Sequence, residues 1–165
     1  STFSKLLAPG LRLGWVIAPA EVIQKLVLSK QAADLHTSSF NQYIAFEAAK
    51  GGFLDEHVKL IRATYKEPRD VMIEMMEEMF PASVSWRKPK GGMFLWSILP
   101  EGMDSSEVLK RAVEKKVAFV PGEAFHPIGG GKNTMRLNFS YSSPETIREG
   151  ITRLGGTLKE LIADK

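Results

Sequence analysis

Lys5 stands among small hydroxyl residues, Thr2 and Ser4 close by and Ser1 before them, and a Pro9-Gly10 turn leads on to Arg12. An amine of this kind can form an imine with a carbonyl compound. Hydroxyls and a guanidinium are good phosphate ligands, the guanidinium through paired N–H donors. A second chemically suggestive residue, Arg136, lies in the alternating run Thr134 to Ser140. A strand arginine has two uses, a surface salt bridge or a bidentate grip on a carboxylate, and spacing alone leaves both open. The run Gly129-Gly130-Gly131-Lys132 lacks the preceding strand, the final Ser/Thr and the following helix of a phosphate loop, so it reads as a surface loop. His36, His57 and His126 are far apart without ligand spacing, and no metal site is expected at them.

These residues need elements to hold them. Leu11, Leu13, Trp15 and Ile17 alternate with Arg12, Gly14 and Val16, which predicts a strand from Leu11 to Ile17 closed by Ala18-Pro19. Gly14 either leaves room for a bound group on the Arg12 side or is a packing glycine. Helical spacing predicts helices over 20–33 and 40–50, the second stopped by Gly51-Gly52, with core of the same chain the simpler cover for their apolar faces and a subunit interface the alternative. The longest helical pattern runs from Phe53 to Phe80 and carries Pro68, which predicts a kink near Thr64 to Pro68 or two helices meeting there. Short strands are expected at 84–87 and 117–120, and a central strand covered on both faces at 93–99. A helix starts at Ser105 or Ser106 and ends about Lys115, with Val108, Leu109, Ala112 and Val113 inward. In the strand 134–140, Met135, Leu137 and Phe139 face a core while Arg136, Asn138 and Ser140 face away. Ser142-Ser143-Pro144-Glu145 starts the last helix, whose Gly155-Gly156 pair points to a close approach to the sheet.

The composition sets outer bounds. At 165 residues, 44% hydrophobic and 25% charged, the sequence is that of a soluble globular protein rather than a disordered one. With no cysteine there is no disulfide framework, thiolate metal site or cysteine nucleophile, which fits a reducing compartment. The formal charge of +3 is spread without a basic block, so nucleic acid is not an expected partner. No apolar run approaches membrane-spanning length, and no membrane partner is expected.

Pyridoxal phosphate combines the two chemistries of the Lys5 string, a carbonyl for the lysine and a phosphate for its neighbours. The string Ser1-Thr2-Phe3-Ser4-Lys5 followed by Pro9-Gly10-Leu11-Arg12-Leu13-Gly14 resembles the lysine motif of fold-type I, class I/II aminotransferases, with Ser1 where many relatives carry Gly. Three further strings resemble the same family: Pro89 with Gly91-Gly92-Met93-Phe94 and Trp96, Val120-Pro121-Gly122 with Phe125, and Asn133 to Ser140. The resemblance implies that Lys5 carries the cofactor, that Thr2, Ser4 and Arg12 bind its phosphate, and that Arg136 binds the substrate α-carboxylate. Phe94, Trp96 and Phe125 are assigned to the core, with pocket lining the alternative.

The implied fold is α/β: residues 1–52 as the end of a large cofactor-binding domain, and 53–165 as a small C-terminal domain opened by a long interdomain helix. The implied activity is transamination between an amino acid and a 2-oxo acid, in a cytoplasmic homodimer. The nearest resemblance is to aromatic and 2-aminoadipate aminotransferases. Because the family carries much of its sequence before this lysine, including groups that hold the cofactor ring, the chain is expected to be the C-terminal part of a longer protein and inactive alone. The alternative is an aminotransferase-like effector domain of a helix-turn-helix transcription regulator.

Overall fold

Helix periodicity and caps account for most of the elements. The structure, a computed structural model, describes residues 1–164 and resolves into two units, Ser1–Arg62 and Ala63 onward.

In the first unit a 3-10 turn, Pro9–Leu11, is followed by helix α1 (Ala20–Ala33) and helix α2 (Ser39–Ala49). The Ser38 hydroxyl caps α2 by accepting from the Asn41 amide. Gly51 and Gly52 then take φ of 81° and 83°, a left-handed turn that glycine adopts without a Cβ clash. The expected strand from Leu11 to Ile17 does not form. A strand needs a neighbour for its N–H and C=O groups, and among the described residues the ladder pairing of this segment is one isolated bridge, Gly14 with Thr2.

The apolar faces of α1 and α2 are not covered by core of their own unit, contrary to expectation. No residue of α1 is buried, and Ala45 alone is buried in α2. Phe40, Tyr43 and Phe46 are all exposed.

Helix α3 (Phe53–Met79) is one uninterrupted α-helix with Pro68 inside it, so the two-helix alternative does not hold. The missing Pro68 N–H removes one rung of the ladder, and packing of the following turns offsets that loss. Val71, Met72, Ile73, Met75 and Met76 are buried.

The second unit is organised on a four-stranded antiparallel sheet of β1 (Ser85–Trp86), β2 (Phe94–Ile98), β3 (Val120–Pro121) and β4 (Thr134–Asn138), in the order β1-β2-β4-β3. Helix α4 (Ser105–Glu114) is capped by the Asp104 carboxylate on the Ser106 amide, one residue before the expected start. Helix α5 (Pro144–Ala163) begins as expected, with Ser143 as cap and Pro144 in the first turn.

Leu95 and Ser97 of β2 pair with Leu137 and Met135 of β4, and these four residues face the core. There they join Met76, Val108, Ala112, Phe139, Ile151, Leu154 and Leu158, apart from the polar Ser97. Val113 of α4, expected inward, is exposed. Strand β2 is central but not covered on both faces: Phe94 and Trp96 are half-buried and Ile98 is exposed. Antiparallel sheets commonly pack one face on helices and leave the other for solvent or function. Here the second face carries Phe94, Trp96 and Arg136, so its apolar content reflects ring contacts around a cation rather than a second helical layer.

The glycine pair of α5 is explained by a helix, not by the sheet. A Cβ at Gly155 would lie 2.7 Å from the carbonyl oxygen of Met79 at the end of α3, whereas one at Gly156 would meet nothing.

Candidate functional site

The Lys5 string forms a small ribbon with the segment 13–15. The Phe3 amide donates to the Leu13 carbonyl at 3.0 Å, and the Trp15 amide donates to the Ser1 carbonyl at 2.9 Å. The Thr2 hydroxyl donates to the Leu13 carbonyl at 3.0 Å and accepts from the Ser4 amide at 3.1 Å. Thr2 therefore ties the strand-like entry to the turn that displays Ser4 and Lys5. A hydroxyl has one proton to give. As placed, Thr2 spends it on the backbone, which leaves the Ser4 hydroxyl and the Arg12 guanidinium as the better donors for an outside anion.

Lys5 is exposed and Ser4 half-buried. Arg12 follows the 3-10 turn with φ of 52°, an unusual left-handed conformation for a residue with a Cβ. Its backbone N–H and its Nη1 both donate to the Pro9 carbonyl, the latter at 2.9 Å, and these bonds hold the conformation. Strain of this kind is kept where surrounding contacts over-determine it. The Asn41 side chain adds one such contact from α2, donating to the Leu11 carbonyl at 3.1 Å. Among the described residues no carboxylate lies within ion-pair distance of Arg12. An exposed amine, a hydroxyl and an unneutralised guanidinium on one short ribbon suit a phosphorylated carbonyl compound.

Gly14 is resolved in favour of packing: its Cβ would sit 3.1 Å from the Ser1 carbonyl oxygen, against the neighbouring backbone.

The second unit builds a different site around Arg136. This residue sits at the middle of β4, opposite Trp96 of β2 on one side and Val120 of β3 on the other. Its guanidinium carbon lies 4.2 Å from the centroid of the Phe94 ring and 4.7 Å from that of Phe125. Phe125 closes the 3-10 turn Gly122–Phe125 and meets Trp96 edge to face, with centroids 5.5 Å apart and planes at 76°. A cleft of about 390 Å³ opens here, lined by Phe94, Val120, Arg136, Asn138 and Tyr141 among others. No carboxylate among the described residues pairs with Arg136, so the salt-bridge alternative is not realised. A guanidinium held by ring faces keeps its N–H donors for a carboxylate entering the cleft.

Phe94 and Phe125 are thus not core residues but neighbours of the cation. The Thr134 to Ser140 alternation placed Arg136 on the correct face. The antiparallel register that sets Trp96 opposite it, and Phe94 diagonal to it, has no local signature. Tyr141, which carried no expectation, is almost fully exposed beside the cleft. Among the described residues there is no metal-ligand cluster and no helix long and apolar enough to cross a membrane.

The family model for class I and II aminotransferases matches residues 1–154. Aromatic-amino-acid aminotransferase 1 of Thermococcus litoralis is 53% identical over 159 residues, which is 96% of this chain and 38% of that protein. The crystal structure of LysN, the α-aminoadipate aminotransferase of Thermus thermophilus complexed with N-(5'-phosphopyridoxyl)-L-leucine, superposes with a TM-score of 0.87 at 44% identity. That match covers 99% of this chain and 42% of the other. A more distant match, 31% identical over 160 residues, is the uncharacterized helix-turn-helix-type transcriptional regulator YisV of Bacillus subtilis, covering 97% of this chain and 33% of that protein. The chain therefore spans about two-fifths of the length of the aminotransferases it matches. With the family model running through both the Lys5 ribbon and the Arg136 cleft, the chain belongs to the class I and II aminotransferases.

Proposed function

We propose that this chain is the part of a pyridoxal-phosphate-dependent aminotransferase that supplies the cofactor lysine and the arginine for the substrate carboxylate. The whole protein moves an amino group between an amino acid and a 2-oxo acid, with aromatic amino acids and 2-aminoadipate the favoured donors. The observation that carries this reading is that one family model spans an exposed lysine flanked by phosphate-type donors and an arginine on a cleft with no carboxylate partner among the described residues.

Bound pyridoxal phosphate supplies an aldehyde that joins amino groups and a ring that draws electrons away from the substrate α-carbon. Ser4 and Arg12 hold its phosphate by hydroxyl and guanidinium donors, and Thr2 contributes by fixing their turn or by releasing its proton from Leu13. Lys5 would anchor the cofactor and, with its amine free, would take a proton from the substrate α-carbon and deliver it to the cofactor's aldehyde carbon. Arg136 fixes the α-carboxylate through two parallel hydrogen bonds and so orients the bond that breaks.

In this reading residues 1–52 finish the large cofactor-binding domain and residues 53–165 form the small one. The protein works as a homodimer in the cytoplasm. The uncovered apolar faces of α1 and α2 support association, and the absence of cysteine agrees with a reducing compartment. The regulator alternative draws on the match to YisV; the higher identity to named aminotransferases favours the enzyme.

The test is chemical. Borohydride treatment of the full-length protein loaded with cofactor should trap a reduced adduct on the peptide bearing Lys5, and Lys5→Ala should abolish both adduct and transamination. An adduct mapping to another lysine, or substantial turnover by Lys5→Ala, refutes the assignment.

A further inference from the structure

We propose that Phe94 and Phe125 are positioning residues for carboxylate recognition: their ring faces hold the Arg136 guanidinium in its binding orientation without consuming its N–H donors. The inference rests on the reading of Arg136 as the carboxylate ligand.

The two rings reach Arg136 from different elements. Phe94 lies on β2 two residues before Trp96, the direct partner of Arg136 across the ladder, and so shares its face of the sheet. Phe125 comes from the turn after β3. The guanidinium carbon is 4.2 Å from the first ring centroid and 4.7 Å from the second, both inside the range where a cation is drawn to an aromatic face.

The second ring is itself braced. Trp96 meets Phe125 edge to face and lies 6.3 Å from the His126 ring. His126 Nδ1 is 2.9 Å from the Gly122 carbonyl oxygen, and a Cβ at Gly131 would fall 2.2 Å from that same nitrogen. The glycine-rich loop thus makes room for the histidine behind the aromatic cluster.

The chemistry favours rings over a carboxylate as the holding group. An acidic partner would orient Arg136 but would occupy its donors and neutralise the charge a substrate must meet. An aromatic face attracts the cation and accepts no in-plane hydrogen bond. It also restricts a long side chain before substrate arrives, so less freedom is lost on binding.

The test uses the full-length protein and two readouts. Phe125→Leu keeps an apolar side chain and removes the π face; Phe125→Tyr keeps the face. Phe125→Leu should raise KM for amino acid and for 2-oxo acid about three- to tenfold with kcat within about twofold, while Phe125→Tyr stays near wild type. Binding of an amine lacking the carboxylate should be the same in all three. In parallel, the Arg136 Nε–Hε resonance should show a ring-current shift that survives in Phe125→Tyr and weakens in Phe125→Leu. An unchanged KM in Phe125→Leu, an equal loss in Phe125→Tyr, or a loss confined to kcat would overturn the proposal, as would an unshifted Arg136 resonance in the wild-type protein. Arg136→Leu separates the underlying reading: if it leaves KM unchanged, Arg136 is not the carboxylate ligand and both assignments fall. If KM rises strongly there but not in Phe125→Leu, only the positioning role falls.

Discussion

Two adjacent glycines in α5 should respond in opposite ways to the same substitution. Gly155 and Gly156 both sit inside the helix that runs from Pro144 to Ala163, so replacing either with alanine gains about 1 kcal/mol of helix propensity. At Gly156 nothing lies within 4 Å of the added carbon, and that gain should appear nearly whole. At Gly155 the added carbon meets the Met79 carbonyl oxygen at 2.7 Å, its Cβ at 2.9 Å and its carbonyl carbon at 3.0 Å. Backbone, not a flexible side-chain tip, is in the way. The helices must part, and buried Met76, Leu154 and Leu158 in the shared core resist that movement. Overpacking of this kind costs about 1–3 kcal/mol. Since the propensity gain cancels between the two variants, Gly155→Ala should be less stable than Gly156→Ala by about 1–3 kcal/mol. Urea unfolding followed by far-UV circular dichroism, with m-values compared to confirm a common unfolding reaction, measures the gap. Equal midpoints in the two variants would refute the close approach of α3 and α5 at this point.

Two further substitutions probe the second unit. The Ser97 hydroxyl is fully buried on the core face of β2 with no hydrogen-bond partner among the described residues, so Ser97→Ala should be neutral or stabilising by up to about 1 kcal/mol. A loss larger than that in thermal or urea unfolding would show that the hydroxyl is paired. Asp70 accepts from Arg69 at 2.9 and 2.6 Å and from Lys66 at 3.0 Å, and the Arg69 bonds foremost hold its carboxyl below the ordinary aspartate range. A carboxyl depressed on folding stabilises the protein above its unfolded pKa, and that stabilisation is lost as pH falls through the folded value. Asp70→Asn should therefore cost only about 0.2–1 kcal/mol near neutral pH, as for a solvent-screened pair, and nothing at acid pH where both proteins carry a neutral side chain. Melting temperatures of the two proteins that stay equally far apart down to about pH 2 would count against this.

Several elements were legible because their signal is local. Ser143 and Pro144 mark the start of α5 through one hydroxyl and one missing N–H, both properties of the residues themselves. Met135, Leu137 and Phe139 alternate into the core as their spacing requires. The alternation from Leu11 to Ile17 has the same form but gave no strand, because a strand also depends on a neighbour that no pattern within it supplies. The apolar stripes of α1 and α2 announced helices correctly and said nothing of what covers them.

The amino-acid order by itself determined which groups are available: an amine beside hydroxyls and a guanidinium at one end, a second guanidinium far along the chain, and the helices and turns that local backbone preferences impose. Only the tertiary structure decided what those groups touch. Antiparallel register placed Trp96 against Arg136 from far away in sequence, brought two rings onto its charge, and left no acid among the described residues to neutralise it. Close approach of two helices, not of a helix and a sheet, explained Gly155. Chain-local preferences act over a few residues, whereas ladder pairing and side-chain packing are settled by what the rest of the folded chain brings alongside.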